Sequence, residues 1–147
     1  MVIIIKANME TINRPKVGIG VILIKEDKIL MGLRKNSHGT GTWGFPGGHL
    51  ELNESIEECS IREVLEESGL TIKNIRHLAF TNDIFTDENK HYVTLFILAD
   101  YNSGELKNLE PQKLEKWEWF KPSQLPSPLF FPILNLLKQD IKLFKQE

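Results

Sequence analysis

The stretch Gly47–Leu70, GGHLELNESIEECSIREVLEESGL, constrains this chain more than any other. A two-glycine turn runs into a segment that carries the marks of a short helix. Ser55 with Glu58 three residues on forms a capping-box pattern, and Gly69 supplies a C-terminal stop. At about 100° per residue with Glu63 at zero, Glu66 falls near ~300° and Glu67 near ~40°. On the same count Ile61, Val64, Leu65 and Ser68 fall between roughly 100° and 200°. The pattern predicts that the second group packs and the first forms a carboxylate face. Carboxylates within about one turn repel one another unless a cation neutralises them. Their hard oxygens suit magnesium or manganese, and a cation held here would in turn hold a polyphosphate. Arg62 is the segment's only Lys or Arg, placed to orient one of these carboxylates or to meet a phosphate.

Composition narrows the class. The chain has 147 residues, room for one core, and is read as a single domain over 1–147. It is 41% hydrophobic and 26% charged, the balance of an ordinary globular protein. A net charge of −2 argues against a binder of nucleic-acid polymers, which needs a basic face. A nucleotide substrate is still open to it, because a metal can carry the positive charge. The single cysteine, Cys59, excludes an internal disulfide, suits a reducing compartment and reads as a helix packing residue. Val2–Ile5 is too short for a membrane span or signal peptide, so a cytoplasmic protein with no membrane partner is expected. Val2–Ile5 reads as an extra strand or a subunit contact, and Met9 as an alternative start.

Along the chain, Val17–Lys25 and Lys28–Arg34 are apolar and β-branched around Glu26-Asp27, a hairpin pattern. Arg34 and Lys35 end it, either as a surface basic pair or as a phosphate contact. Residues Asn36–Thr42 form a polar loop that leads to Trp43-Gly44-Phe45-Pro46-Gly47-Gly48, where the glycines allow close backbone approach. His49 follows, either facing solvent or meeting a phosphate. Short strands are predicted near Thr71–Phe80 and a polar loop over Asp83–Lys90. Lys90–Tyr101 reads as a central strand. Tyr92, Thr94, Phe96 and Leu98 lie on one face and Val93, Leu95, Ile97 and Ala99 on the other. Thr94 is the polar exception, satisfied locally or bound to a ligand. In the strand Lys116–Phe120, Trp117 and Trp119 share a face, available for packing or for stacking on a base. Pro122–Pro128 is a turn, and Leu129–Phe144 reads as an amphipathic helix with Pro132 in its first turn.

Gly48, Glu54, Arg62, Glu63, Val64, Glu66, Glu67, Gly69 and Leu70 fill every position of the pattern G-x5-E-x7-R-E-U-x-E-E-x-G-U, where U is a bulky aliphatic residue. By this motif at 48–70 the chain resembles the Nudix hydrolases. GTWGFPGGHLE, HYVT and NLEPQK…WEWF extend the resemblance to the branch of nucleotide triphosphate diphosphatases that includes sanitisers of oxidised purine nucleotides. The resemblance implies an α/β fold, an α/β/α sandwich with a mixed central sheet. It implies magnesium, with manganese as a substitute, held by the Gly47 carbonyl, Glu63, Glu66 and Glu67. It also implies hydrolysis of a nucleoside triphosphate to monophosphate and pyrophosphate. Catalytic roles fall to Glu66 as base, Glu63 and Arg62, and substrate contacts to Arg34, His49, Thr94 and Gly48. Glu54 is expected to brace the loop, and Glu110 or Glu115 to supply a further carboxylate. A homodimer is expected on the same ground. The proline that marks many ADP-ribose hydrolases of the family is replaced here by Phe85, and Thr86, Asp87 and Glu88 stand where dinucleoside polyphosphate hydrolases prefer tyrosine. The alternatives are a nucleoside diphosphate-linked substrate such as ADP-ribose, or a non-catalytic nucleotide sensor.

Overall fold

The computed structural model describes residues 13–36 and 38–141. The Val2–Ile5 segment and the Met9 start lie outside them, as does the end of the predicted C-terminal helix. The first two strands, β1 (Lys16–Lys25) and β2 (Lys28–Arg34), form the expected hairpin. Glu26 and Asp27 both take left-handed backbone, φ 50° and 62°, as a two-residue turn between twisted strands requires. Two short strands follow, β3 (Trp43–Gly44) and β4 (Gly47–His49), before helix α1 (Ile56–Ser68). The chain continues through β5 (Thr71–Phe85), β6 (Lys90–Ser103), β7 (Leu114–Phe120) and helix α2 (Phe131–Leu137).

The seven strands make one mixed sheet. Its main order is β3-β2-β1-β6-β5, with β4 paired to β1 and β7 to β2. The β1–β6 pair is parallel and the others are antiparallel. Alternation along β1 feeds two cores. Ile19, Val21 and Leu23 pack with Leu30, Ile97, Ala99 and the α1 residues Cys59 and Val64. Ile22 packs with Ile29, Met31, Phe96 and the α2 residues Ile133 and Leu136 on the opposite face. Helices on both faces of a mixed sheet make the expected α/β/α sandwich. As predicted, β6 is central and apolar on both faces, and Trp117 and Trp119 share one face of β7. Among the described residues no helix is long and apolar enough to cross a membrane.

Three expectations are corrected. The segment predicted as short strands and a loop is one strand, β5, paired with β6 out to Phe85 and followed by a 3-10 turn at Thr86–Glu88. Asn82 and Asp83 look like turn residues, but Asp83 points inward onto hydrogen-bond donors, which lets the strand continue. Helix α2 is shorter than Leu129–Phe144. Leu129 bridges to Trp43 instead, and the helix is capped at Lys138 ahead of a left-handed Asp140.

The third correction concerns α1. Its caps are as predicted: Ser55 accepts the Glu58 N–H at 3.0 Å, and Gly69 is left-handed with its N–H on the Leu65 carbonyl. Its packing face is as predicted only at Val64 and Ser68. Ile61 and Leu65 are 44% and 46% exposed, whereas Cys59, Ser60, Val64 and Ser68 are fully buried. The helix has rolled toward its carboxylate side. Small side chains make this feasible, since Ser60 and Ser68 donate to the carbonyls of Ile56 and Val64 at 2.8 and 2.6 Å and bury no unpaired hydroxyl. That roll carries Glu63 and Glu67 inward.

Candidate active site

Helix α1 lies beside β4, and the contact depends on two absent side chains. A Cβ on Gly47 would stand 1.9 Å from the Ile19 carbonyl oxygen, and one on Gly48 2.4 Å from the Glu63 carboxyl carbon. Glycine therefore lets the turn lie against both β1 and the helix. The Gly47 N–H donates to Glu67 Oε1 at 3.2 Å. The Glu67 carboxyl is pushed well above the usual range, first by desolvation, then by its hydrogen bond with Glu63 and the Glu63 charge. The Gly47 N–H opposes the shift.

Arg62 organises the rest. Its Nε and Nη2 donate to the two carboxylate oxygens of Glu54 at 2.7 and 2.9 Å, and Nη1 donates to Glu63 Oε1 at 2.7 Å. Nη2 also reaches the His49 carbonyl at 3.2 Å. These bonds hold Glu54 down to about 2 and raise Arg62 beyond its ordinary value. Glu54 thus ties the loop after β4 to the helix through Arg62, in keeping with the bracing expected of it. Glu66 stands apart, 53% exposed and 3.5 Å from Arg62 Nη1. Glu63 and Glu67 converge. Among the described residues no three His, Cys, Asp or Glu side chains gather closely enough to hold an ion by themselves.

The two converging glutamates open onto a cavity of about 740 Å³. Arg34, Gly47, Gly48, His49, Arg62, Glu63, Glu66, Glu67 and Thr94 all line it, so the structure brings every predicted site residue to one space. Of the two carboxylates left open outside the motif, Glu110 lines the cavity, and its charge adds to the rise in Glu67. Glu115 is exposed and outside it. Trp117 also lines the cavity, with its indole N–H on the Glu67 carbonyl at 3.3 Å, whereas Trp119 packs against the core. Thr94 donates its hydroxyl to Asp83 at 2.6 Å.

The far end is aromatic. His38, Phe85, Tyr92 and Phe130 cluster there, with the His38 and Phe85 ring centroids 4.0 Å apart. The Arg34 guanidinium lies 4.0 Å over the Phe130 ring, and its Nε donates to the His38 carbonyl at 2.8 Å. Burial lowers the Arg34 pKa, opposed by the charges of Glu67, Tyr92 and Glu88. A desolvated guanidinium facing a cavity gains by meeting an anion. His49 is an exposed residue of the cavity wall, with its ring 5.4 Å from that of Tyr92. Nothing in the sequence pattern marks His38, Phe85, Phe130 and Asp83 as site residues. They lie in segments that read as loop, edge or helix start, and no periodicity marks them as neighbours.

The donor set suits a hard divalent cation. Two converging carboxylates, one desolvated and disfavoured as a lone charge, are the arrangement that such an ion relieves. Gly48 keeps open the space beside Glu63 that a Cβ would fill.

The chain is similar to known proteins along most of its length. A family model described as NUDIX domain matches residues 14–140. The chain is 34% identical over 116 residues to an ADP-ribose pyrophosphatase of Methanocaldococcus jannaschii, covering 79% of this chain and 68% of that protein. It is 27% identical over 132 residues to an oxidized purine nucleoside triphosphate hydrolase of Danio rerio, covering 85% and 83%. It is 35% identical over 102 residues to the NAD-capped RNA hydrolase NudC of Photorhabdus laumondii. That match covers 69% of this chain and spans only 37% of the longer relative. Among solved structures, a MutT NUDIX hydrolase from Burkholderia pseudomallei superposes with a TM-score of 0.79 at 32% identity, covering 85% of this chain and 98% of that one.

Proposed function

This chain belongs to the NUDIX family, and we propose that it is a magnesium-dependent nucleoside triphosphate diphosphatase releasing a nucleoside monophosphate and pyrophosphate. Purine deoxynucleotides, oxidised or modified ones among them, are the favoured substrates. The observation that carries the reading is the single cavity joining the Glu63–Glu67 end to the aromatic, arginine-bearing end. Its volume suits one small ligand with a charged end and a planar end. The 27% identical Danio rerio relative, matched over most of both chains, supports the same substrate class.

In this reading Glu63, Glu67 and the Gly47 carbonyl hold the metal, with Glu66 as a further ligand or as the base. A bound divalent ion would neutralise charge on the phosphate oxygens and favour ionisation of the attacking water. Arg62 keeps Glu63 aimed at the cavity through its 2.7 Å hydrogen bond, and Glu54 keeps Arg62 from swinging away. As the base in this reading, Glu66, 53% exposed, takes a proton and passes it to water. Arg34 meets a phosphate, and the rings around it receive the base. His49 and the Gly48 backbone contact the phosphate chain, and the whole chain acts as one domain.

A second reading, hydrolysis of ADP-ribose, is favoured by the 34% identical Methanocaldococcus jannaschii relative. It keeps the chemistry and changes the substrate. The test is product analysis. The protein is incubated with canonical and oxidised nucleoside triphosphates, ADP-ribose and dinucleoside polyphosphates, with and without magnesium, and the products are resolved by anion exchange. Magnesium-dependent release of monophosphate and pyrophosphate is the expected result. Cleavage of ADP-ribose alone would replace the substrate, and binding without turnover would replace the enzyme reading by a sensor.

A further inference from the structure

Asp83 is fully buried on β5, and hydrolysis as proposed has no use for it. Its carboxylate is closely satisfied. Oδ2 accepts from Thr81 Oγ1 at 2.9 Å and Thr94 Oγ1 at 2.6 Å, and Oδ1 accepts from Asn135 Nδ2 at 2.9 Å. Three elements, β5, β6 and α2, thereby aim one acceptor at Thr94. The consequence lies at the cavity, because Thr94 lines it and Asp83 does not. A hydroxyl has one proton and two lone pairs. The Thr94 proton is spent on Asp83, so the oxygen has only lone pairs left for a ligand. Thr81 and Asn135 hold the carboxylate in place, so it cannot release that proton by turning away. Across the parallel β1–β6 pair Thr94 faces Gly18, where an added Cβ would touch both Thr94 Oγ1 and the Tyr92 ring at 3.8 Å, so the Thr94 oxygen stands beside the aromatic cluster with only a glycine opposite it.

A second lone pair lies buried in the aromatic cluster. His38 lines the cavity, and its Nδ1 is paired with the Glu88 carboxylate, so Nδ1 carries the proton. Its Nε2 is buried and has no partner among the described residues. Burial lowers the His38 pKa against the opposing hydrogen bond and charge of Glu88, which favours the neutral ring with a lone pair on Nε2.

We propose that Asp83 is a positioning residue for base selection: by taking the Thr94 hydroxyl proton it makes that cavity wall an acceptor, and so selects nucleobases that present an N–H donor to it. The inference rests on the reading of the cavity as a nucleotide site and adds which base edges fit. A wall built to accept a hydrogen bond rejects a ligand that brings a second lone pair.

The test exchanges one atom. In Asp83→Asn the amide oxygen can still accept from Asn135, while the amide NH2 donates to the Thr81 and Thr94 oxygens. The Thr94 proton is then free to face the cavity. Deoxynucleoside triphosphates are compared in two pairs that swap an amino for an oxo group, dATP with dITP and dCTP with dUTP. The within-pair ratio of kcat/KM is expected to shift by roughly tenfold or more in at least one pair, carried by KM with kcat little changed. Thr94→Val should flatten the same ratio, and D83N added to T94V should change it no further. A folded D83N whose ratios stay within about twofold of wild type in both pairs would overturn the proposal. Where D83N does not fold, T94V decides: unchanged ratios overturn it and flattened ratios uphold it. Absence of turnover by the wild type would sink the enzyme reading alone. The ratios are then read from calorimetric binding of the matching nucleoside monophosphates, with the same two outcomes.

Discussion

Replacing Gly48 by Ala should separate activity from stability. The added Cβ would stand 2.4 Å from the Glu63 carboxyl carbon and 2.5 and 2.6 Å from its oxygens, where ordinary contact begins at 3.4 Å. The carboxyl must therefore retreat by about 1 Å, which strains or breaks its 2.7 Å hydrogen bond from Arg62. Glu63 is the end of a flexible side chain, so the fold can accommodate the change at a cost of roughly 1 kcal/mol. Part of that is offset because alanine restricts the unfolded chain. A displacement of about 1 Å at a group that positions the reaction costs on the order of 10²-fold in rate, near 2.7 kcal/mol of barrier. The assay pairs kcat for pyrophosphate release at saturating magnesium with a urea melt of the same preparation. Gly47→Ala is the contrast. Its Cβ would meet the Ile19 carbonyl oxygen at 1.9 Å, in the backbone of β1, which cannot give way. That variant should lose about 3 kcal/mol or more and take activity down with the fold. A G48A protein within about threefold of wild-type kcat would refute the assignment of Glu63 to the reacting end. So would a G48A whose lost activity simply tracked unfolding.

Glu67→Gln should cut turnover by orders of magnitude and leave the fold intact, because a glutamine oxygen can still accept from Gly47. The wild-type Glu67 pKa is raised, so its stabilising share is fully present below its unfolded value. That share is lost as pH rises through the folded value, and magnesium-free melts should show E67Q falling less over that range. Glu54 behaves oppositely. Its carboxyl is held down to about 2, so its share is present above the unfolded value and lost as pH falls through about 2. Acid titration of E54Q should lack that loss. Cys59 is buried and its thiol is pushed up to about 12, chiefly by desolvation, so iodoacetamide should label it in urea and leave it unlabelled in buffer. Rapid labelling in buffer would refute its place in the core.

Local rules carried far along this chain. The β1–β2 hairpin, the caps of α1 at Ser55 and Gly69, and the two-sided core of β6 follow from turn chemistry and period-two alternation. They were legible because each depends on residues within a few positions of one another. Reading α1 failed where it depended on a partner. Hydropathy assigned Ile61 and Leu65 to the core, but the buried face was decided by how closely a helix could approach Gly47 and Gly48. Reading β5 failed for the same reason, since Asp83 stays in a strand only because Thr81, Thr94 and Asn135 wait for it.

The sequence by itself determined the reagents: the glutamates of one helix, the glycine turn before it, and an arginine among the carboxylates. Fixed spacing on a helix is enough to place charges about one turn apart, and that is a local property. Only the tertiary structure decided which of them face the cavity. It turned Glu63 and Glu67 inward, left Glu66 on the cavity wall but 53% exposed, brought Glu110 rather than Glu115 to the cavity, and gathered His38, Phe85, Tyr92 and Phe130 from four separate segments around Arg34. The physical reason is that desolvation, hydrogen-bond partners and ring contacts are set by chain segments far apart in sequence. The pattern of any one segment holds no record of the others.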